Sequence, residues 1–343
     1  MTTAYCFDPR YERHHRDGHP ENRERLNSTL ALLTKDGILA DLVATPSRPI
    51  SDERLGRVHT VDYIARVQRM ANRGGGNLDA DTYVGPESEY VARLAAGGLA
   101  EMVSAALEGS ITNGFALVRP PGHHALPGRG MGFCIYNNIA IAARMALDEF
   151  DLERIFIVDF DVHHGNGTQA IFYRDPHVFY FSTHQYPYYP GTGDWRDIGE
   201  EEGVGTTCNV PLQAGVGDIG YGRVFDELLW PLAERYQPQL VLVSAGFDAH
   251  WMDPLASMQL SIEGYAHLWR SLRALADKLC SGKLIAVLEG GYELDVLAHS
   301  VLTTFRILRN PQAAASDPFG PSPWREGDIT PVLQQLKGLH QLV

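Results

Sequence analysis

A chain of 343 residues, 44% hydrophobic, has apolar mass for one large core or two modest ones. Its formal net charge of -13 excludes non-specific nucleic-acid binding, which needs clustered Lys and Arg, and suits solubility and the attraction of cations. Cys6, Cys134, Cys208 and Cys280 lie far apart with no CxxC pair, so free thiols in a reducing cytoplasm are the simplest account.

The N-terminal "MTTAYCFDPRYERHHRDGHPENRER" has no apolar leader core, and no later apolar run is read as a bilayer span, so an intracellular protein without membrane contact is expected. Within it His14 and His15 are charged-loop neighbours with no strand before them, and they read as solvated. Next come a helical pattern, "SEYVARLAAGGLAEMVSAALEG", and a buried-strand pattern, "GFALVRP". The helix "NNIAIAARMALDEF" leads into the strand "RIFIVDFD", and "HVFYFSTH" follows. "LVLVSAGFD", the helix "YAHLWRSLRALADKLC" and the strand "KLIAVLEGG" complete the series. "GVGDIG" satisfies GxGxxG formally. The run before it contains Pro211 and no acidic residue closes a following strand at the usual distance, so dinucleotide binding is set aside. "AAASDPFGPSPWREGD" reads as a surface tail. The expected division is a catalytic domain over residues 1–310 and a Pro/Ser-rich tail over 311–343, ending in a short helix on the same domain.

Strands alternating with helices predict one α/β domain, a mostly parallel sheet flanked by helices. Such sheets bind ligands at the carboxyl ends of their strands. The polar outliers fall there: Arg119 to His124, Asp159 to His163, Asp248, and Glu289 to Tyr292.

In "VDFDVHHGNGTQ", period-two spacing sends Asp161 and His163 to one side of an extended segment. With Asp248 they offer two carboxylates and one imidazole. That set balances a divalent charge and leaves a coordination position open, as catalytic zinc requires. His123 and His124, in "RPPGHHALPGRGMGFC", are placed to act as general base and acid, with Asp159 and Asn166 as partners for their far nitrogens. An aspartate partner favours imidazolium and an asparagine only orients. Tyr292, after two glycines in "LEGGY", is a candidate oxyanion donor. Phe133, beside Gly132, and the tyrosines of "HQYPYYPGTGD" would wall a narrow apolar slot.

Together "HPENRER", "RPPGHHA", "GFCIYNN", "VDFDVHHGNGTQ", "PGTGD", "LVLVSAGFDAH", "DPL", "SIEGYAHL" and "LEGGY" resemble the zinc-dependent deacetylases of the arginase-deacetylase superfamily, class II in type. The resemblance implies zinc, with ferrous iron the alternative, on Asp161, His163 and Asp248. It implies His124 as the main proton shuttle beside His123, Tyr292 as oxyanion donor, and Gly132, Phe133 and Tyr189 lining an acyl-lysine tunnel. Asp81 would accept the substrate's backbone N–H, and Asp159 and Ser182 would lie at a structural potassium ion. Leu255 takes the gate position where polyamine-selective relatives carry glutamate, and Asn166 replaces the class I aspartate. The implied substrate is an acylated lysine side chain, hydrolysed to acetate and free amine, or a small acylated amine such as an acetylpolyamine. A two-metal ureohydrolase and a silent acyl-lysine-binding relative are the rival readings, and an oligomer is left open.

Overall fold

The computed structural model describes residues 2–342. Its strands in chain order are β1 (Thr3–Cys6), β2 (Val43–Thr45), β3 (Gly76–Asn77), β4 (Tyr83–Val84), β5 (Asn113–Ala116) and β6 (Ile155–Asp159). They continue with β7 (Val178–Gln185), β8 (Thr207–Leu212), β9 (Leu240–Ala245) and β10 (Leu284–Leu288). β3 and β4 make a small antiparallel ribbon. The other eight form one parallel sheet in the order β2-β1-β5-β10-β9-β6-β7-β8. The expected α/β class and parallel sheet are what the chain adopts.

Helices cover both faces, as buried parallel strands require. On β5 a Cβ at Gly114 would lie 2.4 Å from Met102 of the helix Ser88–Leu107, whereas neighbouring Phe115 packs on Trp269 and Phe305 of the helices Ile262–Leu279 and Leu294–Arg309. Successive strand residues face opposite ways, so these helices lie on opposite faces. The helix Ser88–Leu107 is long and apolar enough to meet a bilayer's length criterion, contrary to the expectation that no segment would. Here 72% of that window is buried, because its apolar side chains fill the core under the sheet.

The five strongest strand patterns form the sheet's interior, but β1, β2 and β8 were not among them. β8 carries Pro211, which an edge strand tolerates because one side of its ladder is unpaired. "GVGDIG" is a helix-entry loop, and three of its amides are already occupied by one carboxylate. Glu326 accepts from Gly217 N at 3.1 Å, Ile219 N at 2.9 Å and Gly220 N at 2.9 Å. The segment read as a surface tail is therefore tied to the body, and the last helix, Thr330–Leu339, buries Leu333 and Leu336.

A further expectation is overturned. His14 is not solvated: it is 1% exposed, its Nδ1 lies 2.6 Å from Ser88 Oγ, and its ring stacks on Tyr83 at 4.3 Å. Only His15, paired with Asp17 at 2.9 Å, stays near solvent. The ribbon β3–β4 and the helix behind it supply the partners that the local sequence does not reveal.

Candidate active site

Strands β5, β10, β9 and β6 are consecutive in the sheet, and the register leaves their carboxyl ends nearly level: Asp159 sits opposite Ser244, and Ala245 opposite Leu288. The four polar strand ends thus converge on one place.

At its base lie Asp161, His163 and Asp248, with one donor atom from each within 4.8 Å of the others. His163 Nδ1 is 3.2 Å from both Asp161 Oδ1 and Asp248 Oδ2. The backbone holds both carboxylates: Gly290 N donates to Asp161 Oδ2 at 2.7 Å and His163 N to its Oδ1 at 2.9 Å, while Val162 N donates to Asp248 Oδ1 at 3.0 Å. Asp248 Oδ2 is buried without a hydrogen bond among the described residues. Glycine is forced around this cluster. A Cβ on Gly246 would lie 2.1 Å from Asp161 Oδ2, and one on Gly290 2.1 Å from Asp248 Oδ2. Burial alone would depress His163, but Asp161 and Asp248 outweigh it and push its pKa up to about 10. Burial and the Asp161 charge both push Asp248 up. The site demands positive charge, and this donor set fits a divalent ion such as zinc.

The tandem histidines above it have unlike supports. His123 Nδ1 donates to Asp159 Oδ2 at 3.0 Å, and that carboxylate also accepts from Tyr180 OH at 3.0 Å. His124 Nδ1 donates to Asn166 Oδ1 at 2.8 Å. Burial depresses both rings. For His123 the charges of Asp159, Asp161 and Glu289 win and raise its pKa to about 10. For His124, burial and the charges of His123 and His163 hold it well below the usual imidazole range. The Gly-Asn-Gly turn now has a reason. A Cβ on Gly165 would meet Asp159 Oδ2 at 2.2 Å and one on Gly167 would meet Ala125 O at 2.4 Å, while Asn166 between them reaches His124.

Tyr292 follows Gly291, whose φ of +116° suits glycine. The Arg25 guanidinium lies 5.1 Å from the Tyr292 ring centroid, and Arg25 Nε donates to Gly291 O at 2.8 Å. A cavity of about 250 Å³ rises from the cluster, walled by Asp81, His124, Phe133, Tyr189, Leu255 and Tyr292. Gly132 also lines it, and a Cβ there would strike His124 Cδ2 at 2.4 Å. Phe133 packs edge-on against Tyr292 at 5.8 Å, and Tyr189, 37% exposed, edge-on against His124 at 5.3 Å. Asp159 and Ser182 are register partners on β6 and β7, both fully buried, with Ser182 Oγ 3.0 Å from His184 Nδ1.

Several supporting residues had no assigned role in the sequence reading. Glu289 accepts from Gly122 N at 2.7 Å, His123 N at 3.2 Å and Ser244 Oγ at 2.9 Å, and burial raises it to about 7. Buried Glu21 pairs with Arg119, at 2.5 Å and 2.8 Å, and with Arg25 at 3.3 Å. A Glu-to-Arg spacing of four looks like an ordinary exposed helix pair, so "ENRER" gives no local sign of burial.

The sequence profile of the histone deacetylase domain matches residues 19–308. A probable deacetylase of Archaeoglobus fulgidus is 43% identical over 298 residues, covering 86% of this chain and 82% of that one. The histone deacetylase-like amidohydrolase of Pseudomonas aeruginosa is 40% identical, covering 88% and 80%. The human polyamine deacetylase HDAC10 is 42% identical over 88% of this chain and 46% of its own length. Among solved structures, the HDA15 HD domain superposes with a TM-score of 0.91 at 34% identity, over 100% of this chain and 95% of that one.

Proposed function

The chain belongs to the histone deacetylase family of metal-dependent amidohydrolases, and on that premise we propose that it hydrolyses the amide of an ε-N-acetyl-lysine side chain to acetate and free amine. The observation that carries the reading is the unlike support of the two histidines, carboxylate behind His123 and amide behind His124, beside one metal-binding cluster at the base of an apolar cavity.

Asp161, His163 and Asp248 would hold zinc, with ferrous iron the alternative. When bound, the ion supplies Lewis acidity to the amide carbonyl and lowers the pKa of water toward neutrality. His124, neutral and with Nδ1 committed to Asn166, offers Nε2 to take a proton from the attacking water and return it to the departing amine. His123, held as imidazolium by Asp159, orients the water and favours developing negative charge. Tyr292 donates its phenol hydrogen to the oxyanion. Phe133 and Tyr189 exclude water from the alkyl chain, Gly132 gives His124 room, and Asp81 would accept a peptide N–H at the mouth. Asp159 and Ser182 would face a structural potassium ion. The proposal is of a cytoplasmic enzyme without nucleic-acid or membrane contact.

Leu255 at the mouth favours a lysine side chain, because an apolar wall cannot pair with a polyamine's cations. The likeness to a polyamine deacetylase keeps the second substrate class in the test. Acetate release from an acetyl-lysine peptide, acetylspermidine and acetylputrescine is measured with metal-loaded and chelator-stripped protein. Metal-dependent release led by the peptide is expected; release led by the polyamines overturns the substrate assignment. Tyr292→Phe should keep fold and metal while kcat falls on the order of 100-fold or more. Undiminished turnover in that variant sinks the mechanism, and a metal-to-protein ratio near two favours ureohydrolase chemistry.

A further inference from the structure

Asp253 is a carboxylate outside the metal-ligand set, 6% exposed, on which three backbone N–H groups converge. Leu255 N donates to Oδ1 at 2.9 Å; Tyr292 N and Glu293 N donate to Oδ2 at 2.7 Å and 3.3 Å. One oxygen therefore holds a wall of the cavity and the other holds the loop carrying the phenol. Each loop has a second tether on its carbonyl side. Tyr188 OH donates to Leu255 O at 2.9 Å, and Arg25 to Gly291 O at 2.8 Å. Neither loop belongs to a helix or strand, and Gly290 and Gly291 stiffen nothing themselves. Among the described residues, Asp253 is the one side chain that accepts from both segments.

Resting on the amide-hydrolysis reading, we propose that Asp253 is a positioning residue that fixes the Tyr292 phenol relative to the Leu255 wall. It acts through two backbone segments and does not touch substrate. A lysine side chain seated against Leu255 then presents its amide carbonyl where the phenol already points. Asparagine keeps the shape of aspartate but turns one acceptor into an NH2 donor. Whichever way it is placed, it gives up either the Leu255 contact or the Tyr292–Glu293 pair.

The test uses the zinc-loaded full chain as wild type, Asp253→Asn, Tyr292→Phe and the double variant. The quantities are kcat and KM on an acetyl-lysine peptide, metal content and the urea midpoint. Asp253→Asn should stay folded and loaded, with kcat down roughly 10- to 100-fold and KM within about threefold. In the Tyr292→Phe background the same change should cost less than about threefold, because its effect passes through the phenol. Equal fractional losses in both backgrounds, or wild-type kcat, overturn the positioning role. So does a variant that cannot be obtained folded and metal-loaded, which would mark Asp253 as purely structural. Asp253→Ser, smaller and open to water, is judged by the same criteria. Full activity of Tyr292→Phe sinks the hydrolysis reading, whereas full activity of Asp253→Asn beside a crippled Tyr292→Phe sinks the positioning role alone.

Discussion

His14 and His15 form one tandem pair and His123 and His124 another, and the fold treats them differently. In the first, His14 is buried on Tyr83 and Ser88 while His15 stays near solvent against Asp17. In the second both rings are buried, each with its own partner, and both face the cavity. Burial is common to three of the four, so it does not single out a reactive histidine. What separates them is what stands behind each ring. His14 has Glu21 at 3.5 Å with Arg119 locked to the same carboxylate, a closed network with no exit toward substrate. His124 has an uncharged amide behind it and open space in front.

The contrast is sharpest when each pair is cut. His124→Ala should lower turnover on the order of 1000-fold with zinc content and fold intact, since general acid–base groups contribute about 100- to 10,000-fold. His15→Ala should leave turnover and stability unchanged. A comparable loss from both would mean that the pairs differ only in burial.

A finer cut exchanges the support and leaves the histidine alone. Asn166→Asp gives His124 the kind of partner His123 has. A carboxylate raises the folded-state pKa, so His124 would stay protonated, and useless as a base, to higher pH. The acid limb of the rate–pH profile should move up by about one to three units, so that the variant loses turnover at a higher pH than the wild type does. An unmoved limb would mean that His124 is not the group titrating in it.

How much of this was legible follows the same division. Asp161, His163, Asp248 and the second histidine pair stood out because polar residues at the ends of apolar strands are costly, and an open parallel sheet gathers those ends. The strands of the interior were readable as apolar runs. β1 and β2 are only four and three residues long, and β8 contains a proline, so none gives a periodic signal. Glu21, Arg25 and Asp253 were silent for another reason. Beside one near contact each, their partners lie more than thirty positions away, such as Gly291, Arg119 and Tyr292, and local spacing encodes no such contact.

A third buried histidine, single and unremarked in the sequence, extends the comparison to its smallest effect. His59 Nε2 accepts from Asn137 N at 2.9 Å, and its Nδ1 lies 3.1 Å from Leu126 O, to which it donates. One nitrogen must carry a hydrogen and the other must not, so the native ring is neutral. Burial agrees, pushing its pKa down to about 4 despite the nearby Leu126 and Pro127 carbonyls. In the unfolded chain the ring takes a proton near pH 6.5. Between about 6.5 and about 4 the unfolded state therefore binds more protons, and this residue's contribution to stability falls as the pH falls. Above that window it is constant. His59→Gln, which can still donate and accept, removes the titration and should cost about 1 kcal/mol at pH 7. The deficit should shrink by at most about 1.4 kcal/mol per pH unit on acidification through the window, read from urea midpoints of the metal-loaded protein. A deficit constant from pH 7 to pH 4 would mean that His59 takes up its proton as readily in the folded chain as in the unfolded one, so that losing the Asn137 bond costs nothing and the loop carrying His123 and His124 does not depend on a neutral ring beneath it.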